Sequence, residues 1–182
     1  MKVINLYGSS GSGKSTTAAG LAYALKIEGF KVEIITEYAK ELCILNTEHL
    51  LENQTWVFAN QYQKMRYLSE ELDFVITDSP LMLSYFYGKK YNYSFKTLFP
   101  LIEETYHSFD NVNFFLEREH KWDPYARVQT EEESLKDSEI LKEFLTIKNI
   151  SFINCKTGNH IDFLKKYIMD TNKEIVNKLN IR

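Results

Sequence analysis

The 182-residue chain has little cysteine, histidine, proline or glycine, and each shortage removes a class of protein. Two cysteines, Cys43 and Cys155, supply neither a disulfide framework nor a four-cysteine metal site. The histidines, His49, His107, His120 and His160, have none of the spacings shared by zinc ligands. No apolar run approaches the ~20 residues that a membrane-spanning helix needs, so no membrane is expected among the partners. Met1 to Tyr7 is too short for a secretory signal and has no small-residue cleavage site, so a cytoplasmic protein is expected. A net charge of −3 gives no whole-molecule attraction to nucleic acid. Of only seven glycines, three (Gly8, Gly11 and Gly13) fall within six residues near the start.

What is present suits one folded domain over residues 1–182. Hydrophobic residues make up 44% and aromatics 14%, enough for a sizeable core. Val3–Tyr7, Lys31–Thr36, Phe74–Thr77, Val112–Leu116 and Ile150–Asn154 read as short buried strands. Between them lie helical patterns over 14–28, 38–45, 47–72 with one break, 98–109 and 130–148, and a last helix carries Ile161, Leu164, Ile168 and Ile175 on one face. Gly29 stops the first of these, Pro100 fits the first turn of the helix after Thr97, and Thr130–Glu133 forms a capping box. Strands alternating with helices imply an α/β fold with a mainly parallel sheet covered on both faces.

Gly8-Ser9-Ser10-Gly11-Ser12-Gly13-Lys14-Ser15 matches G-x-x-x-x-G-K-[ST] in full, between a strand and a helix. Glycine lets backbone N–H groups turn inward round phosphate oxygens, and the helix start aims its positive end at the same anion. Gly8 to Thr16 are the expected nucleotide-binding residues, with Lys14 on the β- and γ-phosphates and Ser15 on Mg²⁺. Asp78 follows a hydrophobic strand, the form of a second Mg²⁺ ligand beside Ser15; it equally suits a cap on the segment after Pro80. Glu37 ends the second strand and is a candidate general base towards an acceptor hydroxyl or a water-mediated metal contact, or else an exposed first-turn residue of the next helix. Arg118 and Arg127 flank a long connection and are candidate lid arginines over about 118–131, Arg127 the stronger and Gln129 close by; surface pairing with Glu117, Glu119 or Glu131 is the other reading.

The phosphate loop, Thr36-Glu37-Tyr38-Ala39-Lys40-Glu41, Thr77-Asp78-Ser79-Pro80 and Tyr125-Ala126-Arg127-Val128-Gln129-Thr130-Glu131 together resemble the ribosylnicotinamide-kinase-like P-loop proteins, many of them small and phage-encoded. Phe58-Ala59-Asn60-Gln61 resembles the helix that supplies a Gln in that family. Ala126 departs from it, since a Gly often stands before the lid Arg. The resemblance covers roughly residues 1–160. It implies a nucleotide-kinase-like fold with strand order 2-3-1-4-5, ATP and Mg²⁺ as cofactors, and transfer to a nucleoside-type hydroxyl. A phage-encoded member would work in the host cytoplasm.

From Ser79 to Ile102 there is no acidic residue, while Lys89, Lys90 and Lys96 interleave with Tyr85, Phe86, Tyr87, Tyr91, Tyr93, Phe95 and Phe99. That composition suits an acceptor base, including a single-stranded or flipped base in DNA; it equally suits core packing or a homodimer contact with solvated lysines. Gln61 and Trp56 are further acceptor candidates. The expected function is an ATP–Mg²⁺-dependent phosphotransferase acting on a nucleoside, nucleotide or modified DNA base. The alternative is an NTP-hydrolysing switch, against which stands the absence of a guanine-specifying N-K-x-D (Asn172-Lys173-Glu174-Ile175 fails at its fourth position).

Overall fold

Apolar runs bounded by glycine, asparagine and acidic residues give five strands: β1 (Lys2–Tyr7), β2 (Val32–Ile35), β3 (Phe74–Thr77), β4 (Asn111–Glu117) and β5 (Ile153–Lys156). The computed structural model describes residues 1–68, 71–123, 129–156, 158 and 160–179. The strands form one sheet, all neighbours parallel, in the order β2-β3-β1-β4-β5. This is the expected class and order.

Between the strands run α1 (Lys14–Ile27), α2 (Tyr38–Ile44), a 3-10 turn (Glu48–Glu52), α3 (Gln54–Arg66), α4 (Met82–Lys90), α5 (Leu98–His107), α6 (Glu131–Ile147), α7 (Ile161–Thr171) and α8 (Lys173–Leu179). Strand alternation sends Ile4, Leu6, Phe74, Ile76, Phe114 and Leu116 to a face packed on α1, α7 and α8. Val3, Tyr7, Val75 and Phe115 point to the opposite face, under α3, α4, α5 and α6. Parallel pairing brings every strand's carboxyl end to one edge, so the segments after Tyr7, Ile35, Thr77 and Glu117 meet there.

The departures from the sequence pattern have local causes. β5 begins three residues later than expected because residues 149–150 close α6. Asn149 takes φ 54° and the Ile150 N–H bonds to Leu145 O at 2.9 Å, a Schellman ending like that of Gly29 and Phe30 after α1. The last helix breaks at Asn172, which is buried and donates its side-chain amide to Ile168 O at 2.7 Å. The aromatic stretch after Pro80 folds into α4, which has no amphipathic signal because Met82 to Phe86 are all buried. Gly88 lets α5 approach: a Cβ there would stand 2.9 Å from the Phe99 ring.

Candidate active site

Between β1 and α1 the chain curls into a cradle that only glycine permits. Gly8, Gly11 and Gly13 have φ of 143°, 73° and 85°. A Cβ on Gly8 would lie 2.4 Å from Ser12 Oγ and 2.9 Å from Leu116 O. Lys14 opens α1, and its buried ammonium donates to Gly8 O (2.8 Å) and Ser9 O (2.9 Å) within the curve. Helix α6 clamps the outside: the Ser134 hydroxyl donates to Ser10 O at 2.6 Å and lies 3.0 Å from Ser9 Oγ.

Asp78, at the end of β3, comes against the start of α1. It accepts a hydrogen bond from Ser15 Oγ at 2.6 Å on Oδ2. The residue is 2% exposed, and its Oδ1 has no hydrogen-bond partner. A buried carboxylate oxygen without a donor is costly, and a cation is the group that would satisfy it. Among the described residues no group of three or more His, Cys, Asp or Glu side chains forms a metal site. The pair therefore fits Mg²⁺, which takes one or two protein ligands and completes its shell with phosphate oxygens and water. Ser12 Oγ is a second buried, unpartnered atom in the loop.

A cavity of about 950 Å³ runs from residues 10–16 of the cradle to a wall made by α2, the 3-10 turn, α3 and α4. Gly8, Ser9 and Asp78 sit behind its surface rather than on it. Glu37 lines the cavity as the N-cap residue of α2, its side chain making no cap bond. Tyr87 faces it from α4, and Lys40, His49, Gln54 and Tyr91 complete that end. Burial, with the negative charges of Glu37 and Asp137, pushes the Tyr87 phenol above its ordinary pKa, so it stays neutral at physiological pH.

Other candidates lie elsewhere. Arg118 is nearly buried, paired with Glu131 at 3.1 Å and stacked 5.0 Å from the Trp122 ring; it does not line the cavity. Arg127 lies outside the described residues, whereas Gln129 lines the cavity. Gln61 is fully buried, its amide accepting from Tyr38 N at 3.2 Å and donating to Thr77 Oγ1 at 3.4 Å, so it holds α2 against β3. Trp56 is half exposed and donates to Tyr38 Oη at 2.8 Å. Tyr85, Phe86 and Phe99 are core residues. Lys89 lies over the Phe99 ring at 4.5 Å, and Lys90 binds Asp137, while Phe95 and Lys96 are exposed.

Sequence reading passed over Ser134, Asp137 and His160. His160 fixes the P-loop helix from the other side: Nδ1 accepts from the Gly158 N–H at 3.1 Å, and Nε2 lies 2.7 Å from Thr17 Oγ1. A signal for the first two exists. Ser134 and Asp137 occupy the stripe that continues as Leu141 and Leu145, so polar residues stand where the helix period demands core.

A family model described as "AAA domain" matches residues 3–162. No curated protein matches the chain significantly. In fold it is similar to thymidylate kinase from Ehrlichia chaffeensis, at 13% identity and TM-score 0.56, covering 94% of this chain and 98% of that one. Thymidylate kinase from Candida albicans gives 16% and 0.55, covering 96% and 93%. Shikimate kinase from Acinetobacter baumannii gives 15% and 0.53, covering 96% and 94%.

Proposed function

This chain belongs to the AAA-domain family, and on that premise we propose that it is an ATP–Mg²⁺-dependent phosphotransferase of the ribosylnicotinamide-kinase-like kind. The acceptor is a hydroxyl on a nucleoside, a nucleotide or a modified DNA base. The observation that carries this reading is the Ser15–Asp78 pair, with its unpartnered buried oxygen, beside a cavity that Glu37 also lines. The similarity in fold to thymidylate and shikimate kinases supports the same class.

The residues divide the work. The backbone N–H groups of residues 10–15 and the Lys14 ammonium, exchanging loop carbonyls for phosphate oxygens, hold the β- and γ-phosphates. Ser15 and Asp78 would hold Mg²⁺, which neutralises phosphate charge when bound. Glu37 takes the acceptor proton as the hydroxyl oxygen bonds to the γ-phosphorus and the bond from that phosphorus to the β–γ bridging oxygen breaks, releasing ADP. Arg127 supplies charge from the lid.

The test offers radiolabelled ATP with nucleosides, ribosylnicotinamide, mononucleotides and hydroxymethylated DNA, the last as single strand and duplex. Label on one acceptor class supports the reading. Phosphate release with no labelled acceptor would replace it with nucleotide hydrolysis coupled to movement.

A further inference from the structure

Helix α6 carries two buried polar side chains one turn apart, and they grip the two ends of the cavity. Ser134 holds the phosphate loop at Ser10 O. Asp137, 3% exposed, accepts from Lys90 Nζ at 2.6 Å on each carboxylate oxygen, and from Gln129 Nε2 on one of them. Lys90 is the last residue of α4, and Gln129 stands two residues before α6. Gln129 lines the same cavity as Tyr87. Tyr87 borders the cavity, its ring parallel to that of Tyr91 with centroids 6.2 Å apart and planes 11° apart. Lys90 lies 5.4 Å from the Tyr91 ring, so one cation braces Asp137 and the second tyrosine.

Such an arrangement is a poor stabilising device. An ion pair with a buried carboxylate and a solvent-reaching lysine contributes little to stability, and its best-attested use is to fix one geometry. Here the fixed object is a phenol that shares the cavity with Glu37. On the phosphotransferase reading, we propose that Tyr87 binds and orients the acceptor beside Glu37, and that Gln129, Asp137 and Lys90 are positioning residues that hold the Tyr87–Tyr91 wall in place. The ring gives a flat acceptor a stacking face, and the cavity-lining hydroxyl can hydrogen-bond to it. Because Ser134 and Asp137 share one face of α6, the same helix sets the distance between phosphate loop and acceptor wall.

Tyr87→Phe retains the ring and removes the hydroxyl. With the acceptor that the wild type labels best in the panel above, its KM for that acceptor should rise about tenfold, the loss expected for one hydrogen bond. Its KM for ATP should stay within twofold and its melting temperature near that of the wild type. Asp137→Asn should raise the acceptor KM in the same selective way, and the double variant should be no worse than the poorer single one, because both act through one group. Gln129→Ala, at a half-exposed position, gives the same comparison if Asp137→Asn folds poorly. An acceptor KM for Tyr87→Phe within twofold of wild type, an equal rise for ATP, or additive effects would overturn the inference alone. A wild type that hydrolyses ATP and labels no acceptor would overturn the phosphotransferase reading and this inference with it.

Discussion

At the phosphate loop, residues 8–15 and the end of β3 make the site between them; the rest of the cavity wall, with Glu37, His49, Gln54 and Tyr87, comes from four separate elements. The first end is built from backbone, with glycines at positive φ and a lysine held by loop carbonyls. The second is built from side chains whose positions depend on how α2, α3 and α4 pack. Backbone chemistry serves any nucleotide, because every one presents the same phosphates. Side-chain chemistry selects, and on the proposed reading it is these residues that choose the acceptor.

The sharpest way to test that division is to remove a group from each end. Lys14→Ala should lower turnover by about 10³-fold or more with every acceptor alike, since it strips charge from the transferring phosphate. Retained steady-state phosphate transfer would break the comparison at its stronger end. Glu37→Gln should lower kcat by about 10²-fold or more, the usual contribution of a general base, and leave the Kd for a fluorescent ATP analogue nearly unchanged. An equal loss in both would move Glu37 from the acceptor to the metal or the fold.

Gly8→Ala probes the backbone end without touching a charge. The added methyl would meet Ser12 Oγ at 2.4 Å and Leu116 O at 2.9 Å, at a φ of 143°. Its expected cost is about 2–3 kcal/mol in a denaturant melt, together with weaker nucleotide binding. Ser134→Ala removes the hydroxyl that bridges α6 to the loop and should cost about 1 kcal/mol. It should raise the KM for ATP more than that for the acceptor, the reverse of Tyr87→Phe.

The smallest effect is expected at the start of α6. The Thr130 N–H, donating to the Glu133 carboxylate, holds Glu133 below its usual pKa. A carboxylate so depressed adds stability that is present above its unfolded pKa and lost as pH falls through the lowered folded value. In Glu133→Gln that acid-side loss should shrink, read from melting temperatures across the carboxylate range; an unchanged acid limb would assign the loss to other groups.

Much of this site was legible in the residues. Gly8 to Ser15, the strand ending at Asp78 and the one ending before Glu37 are short local patterns, and parallel pairing sends their ends to one edge. The capping box at Thr130 forms as its spacing requires. Helix α4 was not legible, because its first five residues, Met82 to Phe86, are all buried and leave neither a polar face nor a period to read. Composition alone left Lys89 and Lys90 open as a basic surface. In the fold Lys89 sits on an aromatic ring and Lys90 on a buried carboxylate forty-seven residues away along the chain.

By itself, then, the sequence determined the phosphate cradle and the alternation of strand and helix. Both rest on interactions between near neighbours: glycine dihedrals, a helix start, a two-residue strand period. Only tertiary structure decided that Ser15 would meet Asp78, that Gln61 would turn inward to hold α2 against β3, and that Lys90 and Gln129 would meet at the buried Asp137. The physical reason is distance along the chain. A hydrogen bond between residues dozens of positions apart forms where packing places the partners, and no local pattern encodes that placement.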